Sequence, residues 1–456
     1  MIDPHDNLSR GDGRGKRRST RFDVVQRRVG FVGKHELPLG YTLDPAATVG
    51  FSARRPRTSQ QVATYTGDGH TMVVARTGAG KGRCCAIPWL LHLENSAVVL
   101  DVKGEAYAVT AAHRAAEFGH RIYVLDPFHS VGGTDTLNPF DLVRPDLVDV
   151  DADVLAELLV DGKPPSKVDQ FWDNMARAFL LGCIAHIATA STTPDLVQLR
   201  DLLQCDDVVF RIAQLLDEKK VTHPLARREF ATFANHEGEK VRTSVLSTAQ
   251  QHLRILGTDS VARAIGKSTI DLDHVISGDR FTIYIVIPPE NLVSHGAVLR
   301  LWVGVLLTAM TRRKRMPDSS TIFMLDEIAQ CGKLGALRQA ITLMRGYGVQ
   351  TITMWQDLAQ MQALYEDWRT LLNNCATLMT FGAANYEMAT TIGGIIGVAP
   401  HRLMGLHRDN ALVHVSGREV FEVRRLDYLV DRWLRRRARR NPRFDRRDDG
   451  PEPQAV

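Results

Sequence analysis

A glycine-rich stretch around residue 80 constrains the fold of this chain more than any other feature. The apolar run Met72 to Ala75 predicts a strand, and a turn of small residues, a lysine and a helix-compatible segment follow it. Small residues let backbone N–H groups close on a phosphate, and the positive end of the next helix faces the same anion. Lys81 would then reach the outer phosphates of a nucleotide. The predicted phosphate-binding residues are Thr77, Gly78, Ala79, Gly80, Lys81, Gly82 and Arg83.

The match to the pattern G-x-x-x-x-G-K-[ST] is incomplete. Ala75 occupies the first glycine position, and Gly82 occupies the position of the hydroxyl that normally binds Mg²⁺. The loop alone therefore leaves two interpretations open, a nucleotide site and an ordinary glycine turn.

The composition is that of a soluble globular protein with arginine-rich ends. The chain has 456 residues, and this length is enough for two or three domains. Of these residues, 44% are hydrophobic and 24% are charged. Its net charge is only +5, and the basic excess is concentrated before residue 30 and between Arg432 and Arg447. Such ends favour nucleic acid or an anionic membrane surface, and a solvated basic tail is the alternative.

Cysteine spacing and hydropathy indicate the compartment. The six cysteines form no C-x-x-C pair, so neither a zinc site nor a disulfide framework is indicated and a reducing cytosol fits. The longest apolar runs, such as Leu301 to Met310, are shorter than the ~20 residues that span a bilayer. We therefore expect a cytoplasmic protein without a transmembrane segment.

Strand and helix patterns divide the chain into four parts, one of them made of two segments. Continuous apolar strands alternate with helices after the loop and again from Phe281 onward, which predicts an α/β fold with a mostly parallel sheet. The intervening pattern is helical throughout. The expected parts are a disordered basic arm (1–30), a nucleotide-binding domain (31–145 and 276–430), an inserted all-α domain (146–275) and a disordered basic tail (431–456).

Two adjacent acids form the second strong motif. The apolar residues from Ile322 to Leu325 precede Asp326 and Glu327, at a strand end where open α/β sheets bind ligands. Asp326 could hold Mg²⁺, and Glu327 could orient and deprotonate the attacking water. The alternative is an acidic pair that caps the following helix.

Three further residues have weaker signals. Gln356 ends the next predicted strand, where its amide could contact the γ-phosphate or the lytic water, or could be a plain polar terminus. Arg345 could act in trans on a neighbouring subunit's nucleotide, or it could cap a helix before Gly346. Asp101 could assist the metal site, although a structural role is favoured.

In chain order, these motifs resemble those of the TraG/VirD family of type IV secretion coupling proteins. The resemblance covers about residues 70 to 430, and the Lys-Gly pair at Gly82 is also typical of that family. The segments that carry it are ARTGAGKG, IPWLL, VVLDVKGE, IYVLDPF, LNPFDLV, FWDNMARAFL, IYIVIPPENL, FMLDEIAQCGKLGAL, RGYGVQTITMWQDLAQM and NNCATLMTFGAAN.

The resemblance implies a RecA-like P-loop ATPase with an inserted all-α domain, assembled as a hexamer with ATP and Mg²⁺ at its interfaces. It implies delivery of relaxase-bound single-stranded DNA, or of effector proteins, to the channel components of a type IV secretion system. By motif position, Lys81 is the loop lysine, Asp326 the metal-holding acid, Glu327 the catalytic acid, Gln356 the sensor and Arg345 the trans-acting finger.

Members of that family typically begin with transmembrane helices, and we expect none in this chain. A soluble member, reliance on a separate membrane subunit and descent from a shortened element are the open explanations. The expected location is the cytoplasm, peripheral at the inner face of the bacterial inner membrane. Two other functions remain open at this point. One is a soluble FtsK/HerA-like DNA translocase, and the other is an adaptor that recruits substrates without hydrolysing ATP.

Overall fold

The structure is a computed structural model that describes residues 24–43, 58–160, 167–236 and 238–443. Its framework is one twelve-stranded sheet. The strands are β1 (Val24–Arg28), β2 (Leu37–Leu43), β3 (Thr58–Tyr65), β4 (His70–Val74), β5 (Ala97–Leu100), β6 (Arg121–Leu125), β7 (Phe281–Ile285), β8 (Thr321–Leu325), β9 (Val349–Trp355), β10 (Cys375–Thr380), β11 (Asn410–Val415) and β12 (Phe421–Arg424).

Seven neighbouring strands, in the order β10-β4-β9-β8-β5-β7-β6, run parallel. Every residue of β4 and β8 is buried, as expected for parallel strands with helices on both faces. Beyond β10, the strands β11, β12, β2, β3 and β1 extend the sheet with antiparallel pairs. The α/β class predicted from the sequence is confirmed.

Two sets of helices cover the sheet. The first set is α1 (Ile87–His92) and α2 (Glu105–Phe118), and the second is α11 (Pro289–Met310), α12 (Gly335–Leu343), α13 (Leu358–Leu364), α14 (Trp368–Asn373), α15 (Tyr386–Ile396) and α16 (Pro400–Met404). Successive strand side chains point to opposite faces. Val73 and Met324 therefore join the core beneath α1 and α2, whereas Met72 and Phe323 join the core beneath α11 and α12.

The region between β6 and β7 contains helices and no strand among its described residues. Its longest helix, α4, packs against α3, α7 and α8, and the Phe179 and Phe233 rings stack 4.0 Å apart inside it. The helices are α3 (Val148–Val160), α4 (Lys167–Ala190), α5 (Leu196–Leu203), α6 (Val208–Asp217), α7 (Pro224–Ala234), α8 (Glu239–Leu253), α9 (Asp259–Ala264) and α10 (Leu272–Ser277).

One helix of the described part of the chain, α11, is long and apolar enough to cross a membrane by length and composition. Polar residues such as Arg300 interrupt its apolar runs, so the length of those runs alone does not reveal it. In the structure, 61% of its most apolar window is buried, and Trp302 donates a hydrogen bond from Nε1 to the carbonyl of Leu137 at 3.1 Å. Burial between the sheet and the inserted helices accounts for the apolar composition of α11.

The structure corrects the expected disorder at both ends. Val24–Arg28 pairs with β3 as an edge strand, so the basic arm is ordered from residue 24, and residues 1–23 lie outside the described residues. At the other end, α17 (Arg432–Arg435) follows β12, with Leu434 fully buried. Apolar residues placed among the arginines anchor this segment as far as residue 443, and residues 444–456 lie outside the described part.

Candidate active site

Three neighbouring strands bring the main predicted residues together at the carboxyl edge of the sheet. Strand β9 lies between β4 and β8, with Val74 opposite Trp355 and Leu325 opposite Thr353. The glycine-rich loop follows β4, Gln356 follows β9, and the acidic pair follows β8. Because parallel strands end at the same edge, their following residues form one cleft.

The loop has the backbone of a phosphate-binding turn. Gly78 and Gly80 have φ values of 77° and 92°, a left-handed conformation that favours glycine. Residues Gly82–Ala86 then form a π-helical turn that leads directly into α1, and such turns are frequent at functional sites. A Cβ atom at Gly82 would meet no heavy atom within 4 Å, so crowding does not explain the missing hydroxyl.

Lys81 is held between the loop and the acidic pair. Its side chain is only 5% exposed, and its Nζ atom donates a hydrogen bond to the carbonyl of Ala75 at 2.8 Å. The same Nζ lies 3.4 Å from Glu327 Oε1. The lysine therefore has a fixed place at the mouth of the loop, next to the predicted catalytic acid.

Glu327 has a backbone conformation that aims its side chain into the cleft. Its φ of 50° and ψ of 40° are left-handed, which is costly for a residue with a Cβ atom. Its Oε2 accepts a hydrogen bond from Gln356 Nε2 at 2.6 Å. A short 3₁₀ turn begins at Ile328, yet the Glu327 side chain makes no capping hydrogen bond to it. The geometry therefore favours the chemical interpretation of Glu327 over the capping one.

Asp326 and Asp101 lie at the ends of adjacent strands, β8 and β5, and both line the cleft. Burial, helped by the charge of Glu327, raises the pKa of Asp326 to about 6. Burial likewise raises the pKa of Asp101 to about 6. Asp101 accepts a hydrogen bond from the backbone N–H of Tyr107 at 2.8 Å, within the first turn of α2. This contact gives Asp101 the structural role that the sequence analysis favoured.

The structure does not bring Arg345 into this cleft. Arg345 precedes β9 and bonds Asp68, which precedes β4, with Nη2 and Nε at 2.6 and 2.9 Å from Asp68 Oδ1. Both residues are at the amino edge of the sheet, opposite the loop. This ion pair holds Arg345 away from the cleft of its own chain. Its action on a neighbouring subunit's nucleotide stays a prediction.

Comparison with known proteins decides the family. The family model described as type IV secretory system conjugative DNA transfer matches residues 44–402. This chain belongs to that family. Among the described residues, no group of three or more His, Cys, Asp or Glu side chains could hold a metal ion.

Two curated relatives show how far the family likeness extends. The chain is 26% identical over 399 residues to the conjugal transfer protein TraG of Escherichia coli, covering 81% of this chain and 62% of the relative. It is 25% identical over 404 residues to protein VirD4 of Rhizobium radiobacter, covering 80% and 58% respectively. The chain thus spans about three fifths of the length of these relatives.

Solved structures share the fold. The bacterial conjugative coupling protein TrwBdeltaN70 superposes with a TM-score of 0.63 at 17% sequence identity, over 78% of this chain and 84% of that one. Other structures of TrwB hold the non-hydrolysable ATP analogue ADPNP, or ADP and Mg²⁺. The RecA-like architecture expected from the resemblance is confirmed by this match.

A segment that the sequence analysis missed completes the cleft of this conjugative DNA transfer family member. The last residue of β12 and the six residues after it, 424–430, line a cavity of about 690 Å³ together with the loop and the acidic pair. Arg425 Nη1 donates a hydrogen bond to the carbonyl of Ala79 at 2.6 Å, and Arg83 Nε donates one to Asp427 Oδ1 at 2.8 Å. These residues lie over 340 positions apart in the chain, and no local motif identifies them.

Proposed function

We propose that this protein is a coupling ATPase of conjugative DNA transfer, which uses ATP hydrolysis to deliver single-stranded DNA, and effector proteins where the system exports them, to a type IV secretion channel. The observation that carries the proposal is the contact chain from Lys81 through Glu327 to Gln356 at three adjacent strand ends. Membership of the conjugative DNA transfer family supports conjugation as the process that this hydrolysis serves.

The position of each residue in the cleft suggests its role in binding or in hydrolysis. The loop amides and Lys81 would bind the β- and γ-phosphates, since both offer donors or positive charge. Glu327 would accept a proton from the attacking water, and Gln356, bonded to its Oε2, would orient that carboxylate and respond to loss of the γ-phosphate. Substrate phosphates would displace Glu327 as the partner of Lys81.

Asp326 is the residue that would hold Mg²⁺. An ionised carboxylate together with phosphate oxygens and water is the ligand set that Mg²⁺ prefers, which fits a cleft with few protein ligands. When bound, the ion neutralises charge on the transferred phosphate. TrwB, which shares this fold, binds ADP together with Mg²⁺, and this supports the same pair of ligands here.

The wider assembly is also a proposal. We infer a homo-hexameric ring at the inner face of the bacterial inner membrane, with a relaxase and the secretion channel as partners. Translocation would depend on contacts with DNA phosphates, which are independent of sequence and weaken with salt. In a ring, Arg345 would lie at the neighbouring subunit's nucleotide.

The test is ATP turnover by the purified protein with and without single-stranded DNA, comparing the wild type with Lys81→Ala and Glu327→Gln. We expect DNA to stimulate turnover and both variants to lose it. Lys34→Ala is the matched control, because Lys34 is 71% exposed and pairs with Glu94 away from the cleft. Nucleotide binding without turnover under any condition would refute the ATPase and favour the non-hydrolysing adaptor, for which the missing hydroxyl at Gly82 is the motive.

A further inference from the structure

We infer that Arg425, in the wall of the cleft, is a positioning residue for the phosphate loop, which it holds by a hydrogen bond to the carbonyl of Ala79. The inference rests on the proposed nucleotide site and adds a residue that no loop motif contains. Arg425 follows the last residue of β12, and its backbone N–H donates to the carbonyl of Asp409 at 2.8 Å. Strands β11 and β12 form an antiparallel hairpin. In the sheet, β10 lies between this hairpin and β4, the strand that leads into the loop.

The guanidinium of Arg425 has contacts with three separate segments. Nη1 donates to the carbonyl of Ala79 at 2.6 Å, and Nη2 donates to the carbonyl of Arg408. The guanidinium carbon lies 4.3 Å from the ring centroid of Phe381, just after β10. A planar guanidinium with fixed forks can make all three contacts at once, which a lysine ammonium cannot.

The carbonyl that Arg425 binds lies at the centre of the loop. Ala79 is flanked by Gly78 and Gly80, both left-handed, and alternation of this kind makes successive N–H groups converge on an anion. Convergence of the amides requires that the intervening carbonyls point away from the anion. A hydrogen bond from Arg425 holds the carbonyl of Ala79 away from those amides, and it places a positive charge next to the loop.

The same segment has a second attachment to the site. Asp427, two residues after Arg425, pairs with Arg83 in the first turn after Lys81, at 2.8 Å from Nε and with a further bond from Nη2. Its Oδ1 also accepts from the backbone N–H of Leu429 at 3.0 Å. Through these hydrogen bonds, the segment after β12 connects the loop and the start of the following helix to the hairpin of β11 and β12.

The experiment compares nucleotide affinity with stability in the full chain. Arg425→Gln removes the contact with Ala79, and Arg437→Gln is the matched control. Arg437 also donates to a backbone carbonyl, that of Leu91 at 3.2 Å, and also packs over an aromatic ring, Trp433, but it does not line the cleft. Fluorescent ADP and ATP analogues report the Kd, and thermal denaturation reports the Tm.

We expect Arg425→Gln to raise the Kd for ADP and for ATP about tenfold, the loss of one charge-assisted hydrogen bond. KM for ATP should rise by a similar factor while kcat changes less than threefold. Arg425→Lys should restore part of the affinity, because lysine can reach only one of the two carbonyls. Arg437→Gln should lower the Tm as much as Arg425→Gln does, and it should leave the Kd for both nucleotides unchanged.

Two outcomes would overturn the inference, and they are distinguishable. If the wild type binds nucleotide, Lys81→Ala abolishes binding, and Arg425→Gln and Arg425→Lys bind within twofold of the wild type, then Arg425 does not position the loop. If the wild type binds neither ADP nor ATP, the proposed function fails and the inference fails with it. Should Arg425→Gln not fold, Arg425→Lys decides, with an unchanged Kd counting against the role.

Discussion

Replacing Asp326 by asparagine should make the nucleotide-free protein more stable while it abolishes ATP turnover. Burial and the neighbouring Glu327 raise the pKa of Asp326 from 3.8 to about 6, so the folded protein disfavours the ionised carboxylate. Asparagine has the same shape and keeps the oxygen that accepts from the Glu327 backbone N–H at 2.9 Å. It does not carry the unfavourable charge.

The size of the effect follows from the pKa difference. A rise from 3.8 to about 6 corresponds to about 3 kcal/mol of lost stability once the carboxyl is fully ionised. Because Asp326 faces a cleft that is open to water, solvent screening reduces this figure, and we expect Asp326→Asn to gain about 1 to 2 kcal/mol. Between pH 4 and pH 6 the folded state binds more protons than the unfolded state, so wild-type stability falls as the pH rises through that window.

Urea denaturation at pH 8 and at pH 4.5, without nucleotide or Mg²⁺, measures the effect. The variant should unfold at a higher urea concentration than the wild type at pH 8, and the difference should shrink at pH 4.5. Asp101→Asn is the matched comparison. The pKa of Asp101 is also raised to about 6, and its carboxylate also accepts a backbone N–H, that of Tyr107, so this variant should gain a similar amount. A variant no more stable than the wild type at pH 8, or a gain that is independent of pH, would refute the reasoning.

Three further predictions concern the cleft and the core. Gln356→Ala should lower kcat for ATP about 10- to 100-fold and leave KM within about threefold, because the amide contacts Glu327 and not the loop; steady-state kinetics measures both, and a dominant KM effect would contradict this assignment. Glu327→Gly should be about 1 kcal/mol more stable than Glu327→Ala in urea denaturation, since both variants lose the contacts with Lys81 and Gln356 and only glycine suits a φ of 50°, while both lose turnover; equal stability of the two variants would argue against strain at this residue. Gly304→Ala should cost about 1 to 3 kcal/mol, because a Cβ there would lie 2.4 Å from Leu158 Cδ2 in α3; thermal denaturation tests this against Gly394→Ala, whose Cβ would meet nothing within 4 Å, and equal Tm values for the two variants would count against it.

The local motifs of the site were predictable because each depends on residues close in sequence. A strand followed by small residues predicts a tight turn at the strand end, and Gly78 and Gly80 do adopt the left-handed φ that the predicted loop needs. Asp326 and Glu327 follow a wholly buried strand, as their apolar lead-in predicts. The disorder expected near Val24 and Leu434 was wrong, because pairing with a distant strand and burial against other elements hold these segments.

The sequence by itself therefore determined the α/β class, the glycine turn after β4 and the acidic strand end, since the period of apolar residues and the backbone preferences of glycine act over a few residues. Only the tertiary structure decided that β9 lies between β4 and β8, which brings Gln356 to Glu327. It also decided that Arg345 lies at the opposite edge beside Asp68, and that Arg425 reaches Ala79 from far along the chain. Strand order and long-range contacts arise from the packing of whole elements, and no short stretch of sequence carries that information.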